Sequence, residues 1–123
     1  MFEGASMHLD NVSVENSGWN GVFVYGTKRS TMKNCNVSHS KQSGLYVDWD
    51  GLIKVDGKGT TIRNNCTNGD SNKYGLKTGA GSSIRLASSL TIETISKNNG
   101  GGGNHGGGGT IKTITNTTKE EKK

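Results

Sequence analysis

The stretch DWDGLIKVDGKG, Asp48 to Gly59, holds the densest set of side chains with chemistry to offer. Asp48 and Asp50 are two positions apart, so on an extended strand both carboxylates would leave the same face. Such a pair can share a Ca²⁺ ion through its oxygens, or act on a sugar as general acid and base. Asp56 supplies a third carboxylate, and Trp49 offers a flat face on which a sugar ring can stack. The candidate catalytic set is therefore Asp48, Asp50 and Asp56, and the candidate Ca²⁺ ligands are Asp48 and Asp50. Elimination chemistry would also need a base. Lys54, Lys58 and Arg63 are near in sequence but belong to no recognisable motif. Aspartates beside glycine are equally common as plain turn formers, so a structural loop is the competing expectation.

A second candidate is the run NNGGGGNHGGGG, Asn98 to Gly109. Gly101, Gly103 and Gly106 satisfy a dinucleotide-binding spacing, as any run this rich in glycine would. That fingerprint needs a strand before it and a helix after it, whereas the strand-like TIKTI follows here. No Gly-Lys-Ser/Thr follows, so a phosphate-binding loop of the nucleotide-hydrolase kind is excluded. The expectation is a connecting loop at 98–109, with His105 exposed and lacking the partners that would hold a metal.

These side chains must be positioned by a chain with little apolar material. Of 123 residues only 28% are hydrophobic, 20 are Gly and none is Pro. One domain fits that length, but a thick two-layer core cannot be filled from so few apolar residues. The remaining choices are disorder or a repeat fold with a thin core. The net charge of +5 is modest, and Lys and Arg are scattered except in the terminal KEEKK. Nucleic acid is accordingly not an expected partner. No stretch approaches the roughly 20 apolar residues of a membrane span, and the start lacks the features of an export signal. A cytosolic protein or a part of a larger assembly is expected. The sequons at Asn11, Asn36, Asn65 and Asn116 are what an Asn-, Ser- and Thr-rich chain produces by chance.

The chain repeats itself. NVSVENSGWNGVFV (11–24) returns as NCNVSHSKQSGLYV (34–47), an offset of 23 (34 − 11). That offset matches Val14 with Val37, Gly21 with Gly44, Val22 with Leu45, and Phe23 with Tyr46. A further shift of 31 (65 − 34) matches Asn34 with Asn65, Cys35 with Cys66, Ser40 with Ser71, Gly44 with Gly75, Leu45 with Leu76 and Tyr46 with Lys77. The difference of 8 (31 − 23) is assigned to an excursion over Asp48 to Gly59. Apolar residues alternate with period two inside each copy, which is the strand signature. Short strands joined by Asn, Ser and Gly turns at this period describe rungs of a parallel β-helix. Equivalent residues then stack about 4.8 Å apart.

Val22, Leu45 and Leu76 are predicted to form an inward ladder, and Val12, Cys35 and Cys66 another. Asn11, Asn34 and Asn65 would form an asparagine ladder at a turn, with Gly21, Gly44 and Gly75 where the backbone needs positive φ or passes tightly. Cys35 and Cys66 would lie one rung apart, and free, buried thiols are expected over a disulfide or a zinc site. Phe23, Tyr46 and Lys77 fall on the outward face. With Trp19 and Trp49 they suggest a binding strip of Trp19, Phe23, Tyr46 and Trp49 for a sugar or an oligomer contact; routine cross-rung packing is the alternative. SSIRLASSLTIETI and TIKTI also read as strands. The expected layout is a β-helix over 1–115, with the Gly-rich loop at 98–109, and a disordered tail over 116–123.

The pattern N-x-x-[VC]-x-x-S-x-x-x-G-[VL]-x-V, over about Leu9 to Thr78, resembles the right-handed parallel β-helix proteins of the pectate-lyase-like superfamily. The resemblance implies an all-β, right-handed solenoid of about three to five rungs. It leaves activity open, since that superfamily includes polysaccharide lyases and hydrolases, epimerases, viral spikes and surface proteins without catalysis. Catalytic members build their clefts from more rungs, so the expected function is a non-enzymatic structural or recognition module with a glycan or protein partner. A fragment of a polysaccharide lyase or glycoside hydrolase acting on acidic polysaccharide is the second expectation. No cofactor is implied beyond Ca²⁺. The chain enters a rung almost at once and shows no capping helix, so pairing of its ends, as an oligomer or end to end, is also expected.

Overall fold

The computed structural model of the chain describes residues 6–26 and 29–114, and the backbone of residues 2 and 3. It is a parallel β-solenoid. The first turn contains β1 (Phe2–Glu3), β2 (His8–Asp10) and β3 (Ser13–Glu15); the second contains β4 (Val22–Tyr25), β5 (Arg29–Lys33) and β6 (Asn36–Ser38). β7 (Leu45–Asp48), β8 (Leu52–Asp56) and β9 (Thr61–Arg63) make the third. The fourth contains β10 (Tyr74–Thr78), β11 (Ser83–Leu86), a short helix α1 (Ile92–Ile95) and β12 (Ser96–Lys97); β13 (Gly103–Gly107) and β14 (Thr110–Thr113) begin a fifth. Three parallel sheets result: A (β1, β4, β7, β10, β13), B (β2, β5, β8, β11, β14) and C (β3, β6, β9, β12).

Each strand turns alternate side chains inward, and the pairing places like upon like. Val22, Leu45 and Leu76 are in register on sheet A and buried. Met32, Val55 and Leu86 do the same on sheet B, and Val37 and Ile62 on sheet C. The core is one side chain deep from each sheet. A triangular tube therefore folds on an apolar fraction that could not fill two packed layers. At the B-to-C corner Asn11 and Asn34 adopt left-handed backbone at φ 57 and 51, where Asn is better tolerated than other side chains. At the C-to-A corner Asn16, His39, Asn64 and Asn98 do so at φ 60, 58, 58 and 56.

The structure corrects the expected register of the third copy. Asn36 pairs with Thr61, an offset of 25 (61 − 36), so Ser40 lies beside Asn65 and its N–H donates to Asn65 Oδ1 at 3.0 Å. The extra length of 8 is split: 2 (25 − 23) in the corner between β8 and β9, and 6 (31 − 25) between β9 and β10. None lies in Asp48 to Asp56, whose second half is the regular strand β8. Asn11, Asn34 and Asn65 consequently form no ladder. The asparagine ladder is at the next corner, where buried Asn65 Nδ2 donates to Val37 O at 3.1 Å and to Asn99 Oδ1 at 3.0 Å. Cys35 and Cys66 occupy different corners, although both are free and buried as expected.

Two other expectations change, and a third is narrowed to one of its alternatives. Gly103–Gly107, placed in a loop, is a strand hydrogen-bonded to β10. Within it, Tyr74's ring lies where a Cβ at Gly106 would stand, and the Thr78 backbone where one at Gly107 would. TIETI forms one helical turn, not a strand, capped by Thr91, whose side chain accepts from Thr94 N while Thr94 Oγ1 accepts from Thr91 N. Gly44, with φ outside the left-handed region, is explained by tight passage alone. A Cβ there would stand 2.6 Å from Ile62 Cγ2 and 2.9 Å from Gly75 O. The tail over 116–123, with Asn116, lies outside the described residues.

Candidate functional site

The outward face of sheet A carries Phe23, Tyr25 and Tyr46, because β4 and β7 alternate and stack in register. Phe23 pairs with Tyr46 and Tyr46 with Lys77 across three rungs. The Phe23 and Tyr46 rings are 4.9 Å apart and inclined by 12°, and Tyr25 stacks on Phe23 at 5.1 Å and 24°. Lys77 Nζ lies 4.8 Å from the Tyr46 centroid. Trp49 meets Tyr25 edge to face at 4.9 Å and 87°. The result is one continuous series: Lys77, Tyr46, Phe23, Tyr25, Trp49.

This geometry separates two roles for the aromatic side chains. Phe23 stacks with two tyrosines, and Tyr46 is held between Phe23 and the Lys77 ammonium, so both rings are engaged within the protein. Trp49 and Trp19 are different, being 65% and 68% exposed. Trp49 sits in the corner that leaves β7 and Trp19 in the corner that leads into β4. The two indoles thus flank the sheet A face at opposite ends of its strands. Sequence reasoning found Trp19, Phe23, Tyr46 and Trp49 but missed Tyr25, whose i, i+2 spacing from Phe23 was the available signal.

The carboxylates part company. Asp48 ends β7 beside the aromatic series: its Oδ2 accepts from Tyr46 OH at 2.8 Å, and its Oδ1 accepts from Trp49 N at 2.9 Å. Asp50 is not its strand neighbour. Trp49 and Asp50 both have left-handed backbone, φ 55 and 60, so the two carboxylates do not leave one strand face as the extended reading supposed. Asp48 lies over Gly79 of the next rung and Asp50 over Gly81, where a Cβ would collide with each carboxylate. Asp56 is on sheet B, in register with Lys33, and caps its own corner by accepting from Gly57 N at 2.7 Å. Among the described residues no three His, Cys, Asp or Glu side chains gather as a metal site.

Electrostatics tie the face together. Burial raises the Tyr46 hydroxyl from its ordinary 10.0 to about 12, helped by its hydrogen bond to Asp48 and by that carboxylate's charge. Lys77 is lowered, first by burial and then by the charge of Lys73, with Asp48 opposing both. Cys66 is raised to about 11 by burial against the pull of Lys73 and Lys77, which keeps the thiol neutral and unreactive at neutral pH. His105 is exposed on β13. No helix of the described residues is long and apolar enough to cross a membrane. No protein-family model matches the chain, and no curated protein or solved structure matches it either.

Proposed function

We propose that this protein is a non-catalytic recognition module that binds a glycan across the A-to-B corner at Trp49. The carrying observation is the pairing of a 65% exposed indole with two carboxylates on one turn, Asp48 and Asp50, beside an aromatic face. An indole supplies the apolar plane that a pyranose face stacks on, and carboxylates accept hydrogen bonds from sugar hydroxyls. Tyr25 holds Trp49 edge-on, so part of the ordering cost of binding is met in the free protein. Trp19, at the other end of the same strands, gives a second stacking point for a longer chain. The repeat pattern supports membership of the pectate-lyase-like β-helices. The separation of Asp56 from Asp48 and Asp50 weighs against catalysis by those three.

The test is a panel of neutral and acidic oligosaccharides and polymers, read by tryptophan fluorescence and by an array. Binding to at least one class is expected, with about a tenfold loss for Trp49→Ala, equivalent to about 1.4 kcal/mol. Phe23→Leu should affect stability more than binding. A blank panel, or binding indifferent to Trp49→Ala, removes the reading. Turnover of any polymer by the intact protein would replace it with an enzymatic one.

A further inference from the structure

The scattered basic residues of the sequence are not scattered in the fold. On the outward face of sheet B the register stacks Lys54, Arg85 and Lys112 in one column on three successive strands, with Thr31 and His8 continuing it. Arg29 stands in the adjoining column, with Leu52, Ser83 and Thr110. Successive rungs are about 4.8 Å apart, so three like charges are held in a line at close intervals. Like charges directly opposite one another destabilise a sheet. The other flanking column is arranged differently: Lys33 lies in register between Asp10 and Asp56. One column of the face thus alternates in sign, and its neighbour accumulates positive charge.

From this contrast we infer that the outer face of sheet B is a docking strip for the phosphodiester backbone of a nucleic acid, bound without regard to sequence and independently of the glycan site. The strip offers the groups that contact phosphate oxygens, namely Lys and Arg interleaved with the hydroxyls of Thr31, Ser83 and Thr110. Its described outward residues include no Phe, Tyr or Trp, so it lacks a broad stacking platform and points to backbone recognition by charge. The strip runs from rung to rung along the solenoid axis, as a linear polyanion requires. A polyanion laid along Lys54, Arg85 and Lys112 meets three neighbouring positive charges at once.

The experiment uses the intact protein and a fluorescein-labelled, mixed-sequence DNA duplex, followed by anisotropy. Three neutralised phosphates predict that the binding constant falls roughly 40-fold between about 50 and about 200 mM salt. Lys54→Glu should weaken binding about tenfold and make the salt dependence shallower by about one unit of slope. The same variant places a carboxylate in register with Arg85, so its melting temperature should hold or rise. That outcome separates lost binding from lost folding. Lys33→Gln and Trp49→Ala should bind the duplex as the parent does, so failure here and failure of the glycan reading are distinguishable. The inference is overturned if the duplex does not bind at low salt, if Lys54→Glu retains full affinity, or if a sulfated polysaccharide binds and the duplex does not.

Discussion

At Tyr46 the phenol, the carboxylate of Asp48 and the ammonium of Lys77 share one small surface, and the Asp48 charge acts on both of the others. The Tyr46 proton is held more tightly in the fold than in the unfolded chain, 10.0 rising to about 12. The folded state therefore binds more protons between those values, and stability must fall as pH rises through that window. Lys77 is shifted down from 10.5, so the folded state binds fewer protons just below that value and stability rises with pH there, offsetting the loss only at the foot of the window. Tyr46→Phe should flatten the decline across the window from 10.0 to about 12 while leaving Lys77's opposite trend, as followed by urea midpoints over that range. An unchanged slope in the variant would show that burial and the Asp48 contact do not hold the phenol neutral. The sequence showed Tyr46, Asp48 and Trp49 as neighbours because they are consecutive or nearly so. It misplaced Asp50 because period-two reasoning assumes an extended chain, and two consecutive left-handed residues break that assumption.

At the level of strands and corners, the legible part was whatever alternates. Val22 and Val24, Leu45 and Val47, and Ile53 and Val55 announce their strands through burial at every second residue. Corners were harder, since their lengths change without changing composition. The alignment of Cys35 with Cys66 rested on a constant offset, whereas the chain lengthens by 2 (25 − 23) at one corner and by 6 (31 − 25) at the next. Glycine misled in a different way. The Gly103–Gly107 strand has no inward apolar side chain to alternate, so no periodic signal could mark it, and its pairing is set by Tyr74 below and the backbone of β10. Gly44 gives the sharper test of close packing. Gly44→Ala should destabilise by about 1–3 kcal/mol, the usual range for overpacking, because Ile62 Cγ2, Asn65 Nδ2 and Gly75 O stand 2.6, 2.7 and 2.9 Å from the new methyl. Chemical denaturation measures it. A neutral result would mean that Asn65 and the neighbouring rung can move aside.

For the molecule as a whole, stacking converts distance in sequence into adjacency in space. Lys54 and Arg85 are separated by 31 positions (85 − 54), and Arg85 and Lys112 by 27 (112 − 85), yet all three stand on adjacent strands. This is why a composition that looked merely mildly basic yields a face with a line of positive charge, and why charge patterning along the chain failed to show it. The architecture itself was legible, since the early return of one motif already implied rungs. What could be done with the outside of the tube was not legible, because outward residues are unconstrained by the core and their columns exist only once the register is known.

The strand order within each sheet has a mechanical consequence. Each rung is hydrogen-bonded only to the rungs directly before and after it, and those bonds lie along the tube's long axis. Force applied between the two ends thus loads one layer of bonds at a time, and the tube should come apart as a zip opens. The lengths of chain released should betray the register. Between like positions the turns differ, by 23 from Val22 to Leu45 (45 − 22) and by 31 from Leu45 to Leu76 (76 − 45). At about 3.5 Å per extended residue these correspond to steps of roughly 80 and roughly 110 Å. A single-molecule pulling trace with unequal steps of that kind would read out the two corner insertions directly, and one abrupt rupture of the whole tube would show that the rungs fail together.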